Sequence, residues 1–211
     1  MAACRSRLST LHSSSNTRRA SSSRAAAAAL ARRSDVAIVY PRDTEAEGRD
    51  RSDLTLDDDA DRLISAVAAA NPRTVVVLKT GSAVTMPWLG SVPGVLEAWY
   101  PGERGGHAIA RLLFGDVNPS GRLPIIFPAE ESDLPTAGSP AQRPGDARNV
   151  EYREGVLLGY RWYDERGIQP LFPFGHGLMY AGRFAYTDLR VEPASGGGCC
   201  ASTYAPSPTG T

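Results

Sequence analysis

The chain has 211 residues, of which 42% are hydrophobic and 22% charged, and its 23 lysine and arginine residues balance 23 aspartate and glutamate residues. This length fits one domain of ordinary size, and the balance excludes an overall basic field that would recruit nucleic acid or an anionic membrane. No stretch of about 18 consecutive apolar residues is present, so the sequence predicts no membrane-spanning helix.

The N-terminal segment, residues 1–24, is rich in serine, arginine and alanine and contains no acidic residue. Such a composition buries too little apolar surface to offset the entropy of ordering the chain. We therefore predict that residues 1–24 are disordered. An arginine-rich, acid-poor composition is also typical of a targeting segment, and an out-of-frame extension would look the same, so the sequence leaves the compartment open.

Apolar strands alternate with helices through the middle of the chain. The alanine run before Arg32 predicts the last turns of a helix, and helices are also expected at 60–70 and 105–115. Apolar, β-branched runs predict strands at 35–40, 74–79, 95–100 and 122–128. This alternation indicates an α/β domain with a mainly parallel sheet, in which ligands gather at the carboxyl ends of the strands.

The regular alternation ends at Pro128. A polar loop of about twenty residues follows, which is typical of an insertion or a lid. The aromatic- and glycine-rich stretches between residues 152 and 180 predict tight turns that pack rings rather than regular helix. A last strand is expected at 183–191, and the low-complexity tail after it is predicted to be disordered.

Several common chemistries lack their sequence signatures. Neither a phosphate-binding glycine loop nor the G-x-S-x-G elbow of serine hydrolases is present, which argues against a nucleotide-binding domain and the usual α/β hydrolase. Cys4, Cys199 and Cys200 form no disulfide or metal pattern, and His107 and His176 have no partner at zinc-ligand spacing. We expect no cofactor and no metal.

The loop after the first of these strands, "DTEAEGRDRSDLTL", carries Glu45 and Glu47 at the edge of the sheet where a ligand would bind. Acidic loops are usually solvated surface. The same carboxyl groups could transfer a proton to a substrate. Composition alone leaves both interpretations open.

Longer motifs decide between them. The series "DTEAEGRDRSDLTL", "AWYPG", "LFGDVNPSGRLP" and "FPFGHGL", in this order and spacing, resembles the C-terminal domain of glycoside hydrolase family 3, the β-glucosidase family. The likeness extends over most of the chain. It assigns residues 25–182 to a three-layer α/β sandwich with a mainly parallel sheet, and 183–211 to the start of a fibronectin-like domain followed by the disordered tail.

The resemblance also implies a mechanism. In this family a TIM barrel supplies the nucleophilic aspartate, and the sandwich lends the general acid/base from a loop. The family pattern E-x-E-G-x-D-R falls on residues 45–51, which makes Glu47 the acid/base candidate and Glu45 the fallback. Asp50 and Arg51 are expected to pair with each other or with neighbours and to shape the loop.

The implied activity is retaining hydrolysis of terminal β-linked sugars, with a β-glucoside or oligosaccharide as substrate and no nucleic acid or membrane partner. The sequence contains no segment resembling the barrel. We therefore expect the chain to be a fragment of such an enzyme, inactive alone, with the barrel supplied in trans or missing.

One alternative comes from a different class of protein. A noncatalytic carbohydrate-binding or interaction domain would keep the sandwich without the chemistry, and Trp88, Trp99 and Trp162 could then stack on sugars. Core packing of the same tryptophans is the simpler interpretation.

Overall fold

The computed structural model describes residues 8–11, 17–48, 51–143, 149–180, 183–192 and 201–209. The chain divides into two compact units, one formed by residues 1–106 with 123–176 and the other by 107–122 with 177–211. In the part of the chain that is described, no helix is both long and apolar enough to cross a membrane.

The regular elements are, in chain order, β1 (Leu8–Leu11), α1 (Thr17–Ala31), β2 (Val36–Val39), α2 (Ala60–Ala70), β3 (Thr74–Leu78), β4 (Gly94–Glu97), α3 (Gly105–Leu113), α4 (Tyr160–Arg166), β5 (Arg183–Glu192) and β6 (Ala201–Thr209). Short 3-10 turns lie at Leu89–Ser91 and Glu131–Asp133. In the second unit, β5 and β6 pair antiparallel.

The first unit is built on a four-stranded sheet with the order β1-β2-β3-β4. Every neighbouring pair is parallel, with Ile38 opposite Val75 and Val76 opposite Val95. β-branched residues favour such strands because their side chains pack well on a pleated surface. The predicted α/β domain with a mainly parallel sheet is confirmed.

Helices α1 and α2 pack together and share the core with the sheet. Small side chains on α1 allow this close approach, with Ala27 and Ala31 buried. On α2 the residues Ile64 and Val67 face inward at helical spacing and are fully buried. Phe127 also packs in this core and is buried.

A buried asparagine, Asn71, ties the end of α1 to the start of β3. Its Nδ2 donates to the carbonyl oxygens of Ala31 at 3.0 Å and Ser34 at 2.9 Å, and its Oδ1 accepts from the backbone N–H of Arg73 at 2.8 Å. The last carbonyls of a helix need partners outside it. Asn71 supplies one and fixes the turn that leads into β3.

An antiparallel bridge between Phe127 and Phe172 joins the two ends of the segment that contains the long loop after Pro128. Phe127 and Phe172 exchange backbone hydrogen bonds of 3.0 and 3.1 Å, and their rings meet edge to face with centroids 6.4 Å apart. The strand predicted at 122–128 is present only as this antiparallel bridge. Pro124 and Pro128 explain the difference because proline donates no hydrogen bond to a ladder.

Some regular elements lie within the terminal segments. Within residues 1–24 the structure has β1 and the first turns of α1, because alanine and arginine favour helix and carry α1 back to Thr17. The predicted last strand is present as β5, and β6 occupies part of the predicted disordered tail. Other parts of both segments lie outside the described residues. α4 forms where tight turns were expected.

Candidate active site

The candidate site lies at the carboxyl edge of the parallel sheet, where three loops meet. The loop after β2 contains Asp43, the loop after β3 contains Ser82, and the turn after β4 contains Tyr100. The carboxyl ends of parallel strands lie on the same edge, so residues far apart in sequence come together here. The predicted location of the acidic loop therefore agrees with the topology.

Arg51 organises the acidic loop. Its Nη1 lies 3.2 Å from Oδ2 of Asp43 and 3.4 Å from Oε1 of Glu45. The same nitrogen is 3.0 Å from Oγ of Ser82, which in turn donates to Oε1 of Glu45 at 2.6 Å. One guanidinium therefore faces two carboxylates and joins the loop after β2 to the loop after β3.

Asp43 is the most enclosed of these carboxyls, with a side chain that is 0% exposed. Burial raises the pKa of Asp43 to about 6, with a further contribution from the neighbouring charge of Glu45, and Arg51 opposes the increase. The hydroxyl of Tyr100 donates to Oδ1 of Asp43 at 3.4 Å. Asp43 thus lies at the buried end of this group of side chains.

Glu97, the last residue of β4, is a second carboxyl with an altered pKa. Its Oε2 accepts from Oγ1 of Thr80 at 3.1 Å, and its Oε1 accepts from the backbone N–H of Trp99 at 2.7 Å. Burial raises the pKa of Glu97 to about 7, although both hydrogen bonds favour the charged form. Glu97 therefore titrates near neutral pH behind the site.

The absence of a side chain at Gly81 allows two site residues to approach the backbone. A Cβ added at Gly81 would lie 2.8 Å from the hydroxyl oxygen of Tyr100 and 2.9 Å from its Cε2, and it would overlap Oε2 of Glu45. All three contacts are closer than real Cβ atoms tolerate. Glycine is needed here for close packing, not for its backbone freedom.

Glu47 lies on the rim of an open cleft of about 750 Å³. Its side chain is exposed, as are those of Thr44 and Ala46. Gly48 follows in a left-handed conformation, with φ of +79°, which turns the chain sharply after Glu47. The cleft is lined by residues of all three carboxyl-end loops and by Leu134, Thr136, Gln142 and Arg143.

Arg143 connects this second wall of the cleft to the acidic loop. Its Nη1 lies 3.0 Å from Oε1 of Glu131, and its Nη2 donates to the backbone carbonyl of Arg51 at 3.0 Å. A smaller cavity of about 230 Å³ lies between Arg51 and Arg143. The long loop predicted after Pro128 therefore covers part of the candidate site.

The structure separates the two candidate glutamates. Glu45 is partly buried and engaged by Ser82 and Arg51, whereas Glu47 is exposed beside the cleft. Arg51 pairs with neighbours, as predicted. Asp50, its other predicted partner, lies outside the described residues.

The tryptophans proposed as sugar platforms are packed against the protein. Trp88 is 2% exposed, and its Nε1 donates to Asp61 at 2.7 Å. Trp99 packs on the ring of Phe127 with centroids 6.0 Å apart. Trp162 donates to the carbonyl of Asp133 at 2.9 Å, and a guanidinium lies over its ring.

Sequence reasoning missed Asp43, Glu97 and Tyr100. Each lies within a few residues of the carboxyl end of a predicted strand, which is the signal that could have identified them. Their burial and pairing depend on contacts between loops, which one chain segment does not reveal. Among the described residues, no three histidine, cysteine, aspartate or glutamate side chains are arranged to hold a metal ion.

The family of the chain follows from comparison with known proteins. The model of the glycosyl hydrolase family 3 C-terminal domain matches residues 2–180. Thermostable beta-glucosidase B of Acetivibrio thermocellus is 48% identical over 165 residues, which cover 77% of this chain and 21% of that protein. Beta-glucosidase B of Emericella nidulans is 47% identical in an alignment of 183 residues that covers 79% of this chain and 21% of that protein.

Comparison with solved structures also finds beta-glucosidases. DesR, a beta-glucosidase from Streptomyces venezuelae determined in complex with D-glucose, is 49% identical, with a TM-score of 0.80 over 84% of this chain and 23% of that one. Beta-glucosidase 3B from Thermotoga neapolitana is 34% identical, with a TM-score of 0.70 over 80% of this chain and 25% of that one.

The fold and these matches define an α/β domain of the glycoside hydrolase class. The chain belongs to glycosyl hydrolase family 3 and contains its C-terminal domain. It spans about a fifth of the length of the curated relatives that it matches.

Proposed function

We propose that this chain supplies the general acid/base to a retaining, β-glucosidase-type glycoside hydrolase, and that Glu47 is the acid/base residue. One observation carries the proposal: Glu47 is exposed on the rim of the cleft, while the neighbouring carboxyls of Asp43 and Glu45 are engaged by Arg51. The membership in family 3 and the β-glucosidase names of the relatives support the reaction class.

The reaction requires two carboxyl groups with different roles. In retaining glycosidases one carboxylic acid protonates the departing glycosidic oxygen, and a carboxylate about 5 to 5.5 Å away attacks the sugar. The first group then removes a proton from the water that releases the sugar. Glu47 would serve both steps as acid and then as base, while the nucleophile comes from the barrel of the enzyme.

Glu47 is better placed to act as a proton donor than Glu45 is. Oε1 of Glu45 already accepts from Ser82 Oγ at 2.6 Å and faces Arg51 Nη1 at 3.4 Å. A carboxyl fixed by these two donors is poorly placed to rotate toward a substrate. Glu47, before the turn at Gly48, can enter a cleft formed when another domain covers this edge.

The proposal makes turnover dependent on a second domain. Because the barrel supplies the nucleophile, we expect the isolated chain to cleave no aryl β-glucoside. Joining the chain to the rest of a relative such as the Acetivibrio thermocellus enzyme, in place of the segment that it matches, should restore activity, and this joined enzyme allows the acid/base assignment to be tested.

The leaving group of the substrate provides that test. Glu47→Gln in the joined enzyme should lower kcat/KM for cellobiose about 10²- to 10⁴-fold, because the departing sugar needs a proton. It should change kcat/KM for 2,4-dinitrophenyl β-glucoside much less, since that leaving group departs as an anion. Azide should restore turnover of the activated substrate by replacing water, which no longer has a base.

Glu45→Gln is the matched control, since it alters a carboxyl two residues away on the same loop. It should lower activity on both substrates by similar factors. Selective loss in Glu45→Gln, or equal loss on both substrates in Glu47→Gln, would move the assignment away from Glu47. Robust activity of the isolated chain would refute the two-domain proposal.

A further inference from the structure

We propose that Arg51 is a positioning residue that holds the Glu47 loop in its working conformation, with Arg143 fixing the backbone of Arg51 from the opposite wall of the cleft. The catalytic part of this inference rests on the proposed function of Glu47. The loop-fixing part stands on the contacts of Arg51 alone and is tested separately.

Arg51 spans the loop from one end to the other. Its Nη1 lies 3.2 Å from Oδ2 of Asp43, and its Nη2 donates to the carbonyl oxygen of Thr55 at 2.7 Å. Asp43 precedes Glu47, and Thr55 follows it. The guanidinium thus draws together the two ends of the segment that carries the proposed acid.

The same side chain attaches the loop to the end of β3. Nη1 of Arg51 lies 3.0 Å from Oγ of Ser82 and 3.5 Å from the carbonyl oxygen of Ala83. Ser82 then donates to Glu45 at 2.6 Å. The Arg51 side chain is 14% exposed, so these contacts are largely shielded from water and from screening by salt.

Arg143 binds the acidic loop from the opposite wall of the cleft. Its Nη2 donates to the backbone carbonyl of Arg51 at 3.0 Å, while its Nη1 is held by Glu131 at 3.0 Å. The backbone of Arg51 is therefore fixed by one arginine, and its own side chain fixes the loop. A change in either wall of the cleft is transmitted to the other through this carbonyl.

Arginine is required by the number and spread of these acceptors. The guanidinium presents five N–H donors in a planar fork, whereas a lysine ammonium presents three donors from one point. A lysine at position 51 would keep the positive charge beside Asp43 but could not reach Thr55 and Ser82 together. Between Asp43 and Gly48 the loop has mainly exposed side chains, so few other contacts of the described residues replace the lost bonds.

Digestion of the full chain with glutamyl endopeptidase tests the loop-fixing part, because this protease cleaves after Glu45 and Glu47 faster when the loop opens. Arg51→Met and Arg51→Lys should accelerate cleavage at these positions by about tenfold or more, since loops with fewer fixed contacts open at lower free energy. Mass spectrometry of the fragments identifies the positions, and urea unfolding shows that the variants remain folded.

Arg62→Met is the matched control. Arg62 is an exposed arginine on α2 whose Nε lies 3.4 Å from Asp59, so the substitution removes a guanidinium without touching the loop. Its cleavage rate should equal that of the unsubstituted chain. Unchanged cleavage in Arg51→Lys and Arg51→Met, with both variants folded, would overturn the proposal.

The joined enzyme tests the catalytic part. If Arg51 acts by placing Glu47, Arg51→Lys should reproduce the selectivity of Glu47→Gln, with a loss of about a hundredfold on cellobiose and little on 2,4-dinitrophenyl β-glucoside, as expected for a displaced catalytic group. Equal losses on both substrates would show that Arg51 does not act through Glu47. Failure of Glu47→Gln to show selectivity would instead refute the proposed function, and the proteolysis result would still decide whether Arg51 fixes the loop.

Discussion

Oε1 of Glu97 accepts a hydrogen bond of 2.7 Å from the backbone N–H of Trp99, a residue held in the left-handed region with φ of +50°. A bulky residue rarely adopts this conformation, and the carboxylate compensates for its cost. The turn directs the next residue, Tyr100, toward Asp43. Glu97 therefore supports the site through a backbone turn rather than through contact with the cleft.

Glu97→Gln tests this support through the pH dependence of stability. Burial raises the folded-state pKa of Glu97 to about 7, above its ordinary value, so the folded chain binds this proton more tightly than the unfolded chain does. The contribution of Glu97 to the free energy of unfolding is therefore largest at acidic pH and falls as the pH rises from about 4.5 to 7.

Glutamine can keep both hydrogen bonds of Glu97, accepting from Trp99 and donating to Thr80, without the cost of a buried charge. We expect the difference in unfolding free energy between Glu97→Gln and the unsubstituted chain to shift in favour of the variant by about 2 kcal/mol between pH 5 and pH 8. Urea unfolding at several pH values measures it. Glu103→Gln, at an exposed position, is the control, and a pH-independent difference for Glu97→Gln would contradict the prediction.

Asn71→Ala should destabilise the first unit. The substitution removes the donor to the carbonyls of Ala31 and Ser34 and the acceptor for Arg73 N–H, at a side chain that is buried. Loss of such bonds costs about 2 to 3 kcal/mol of unfolding free energy, because the backbone groups that Asn71 bonds are left without these hydrogen-bond partners. Ser65→Ala, which removes an exposed bond to Asp61, should cost under about 0.5 kcal/mol in the same urea titration.

Gly81→Ala should displace the side chains of Glu45 and Tyr100. The added methyl group would overlap the ends of both side chains, which can move, so we expect a modest loss of about 1 kcal/mol rather than unfolding. NMR should show altered ring resonances of Tyr100. Gly90→Ala is the matched control because a Cβ there meets nothing within 4 Å, and an unchanged Tyr100 signal in Gly81→Ala would contradict the predicted clash.

The central strands could be predicted from sequence because their residues carry the information locally. Val36–Val39 and Thr74–Leu78 are short apolar runs bounded by polar residues, and α2 shows helical spacing of Leu63, Ile64 and Val67. Composition misled where contacts between segments decide: the apolar run ending at Phe127 is interrupted by prolines and forms only a bridge with Phe172.

The site was predictable in position but not in arrangement. The sequence predicts acidic residues at the carboxyl edge, and the family pattern singles out Glu45 and Glu47. That Glu45 is held while Glu47 is exposed depends on Ser82 and Arg51, which reach it from separate parts of the fold. Such contacts between loops cannot be obtained from spacing within one segment.

The bridge between Phe127 and Phe172 joins the two ends of the stretch that forms the second wall of the cleft. Hydrogen bonds of Leu123 with Gly175 and His176 continue this pairing, so the two ends of the stretch are held together beside the core. Because closure entropy changes only slowly with loop length, insertions into this stretch should change the free energy of unfolding only slightly. Leu134, Thr136 and Gln142 belong to this stretch, and so does Arg143, whose hydrogen bond to the carbonyl of Arg51 couples a change in this wall of the cleft to the acidic loop.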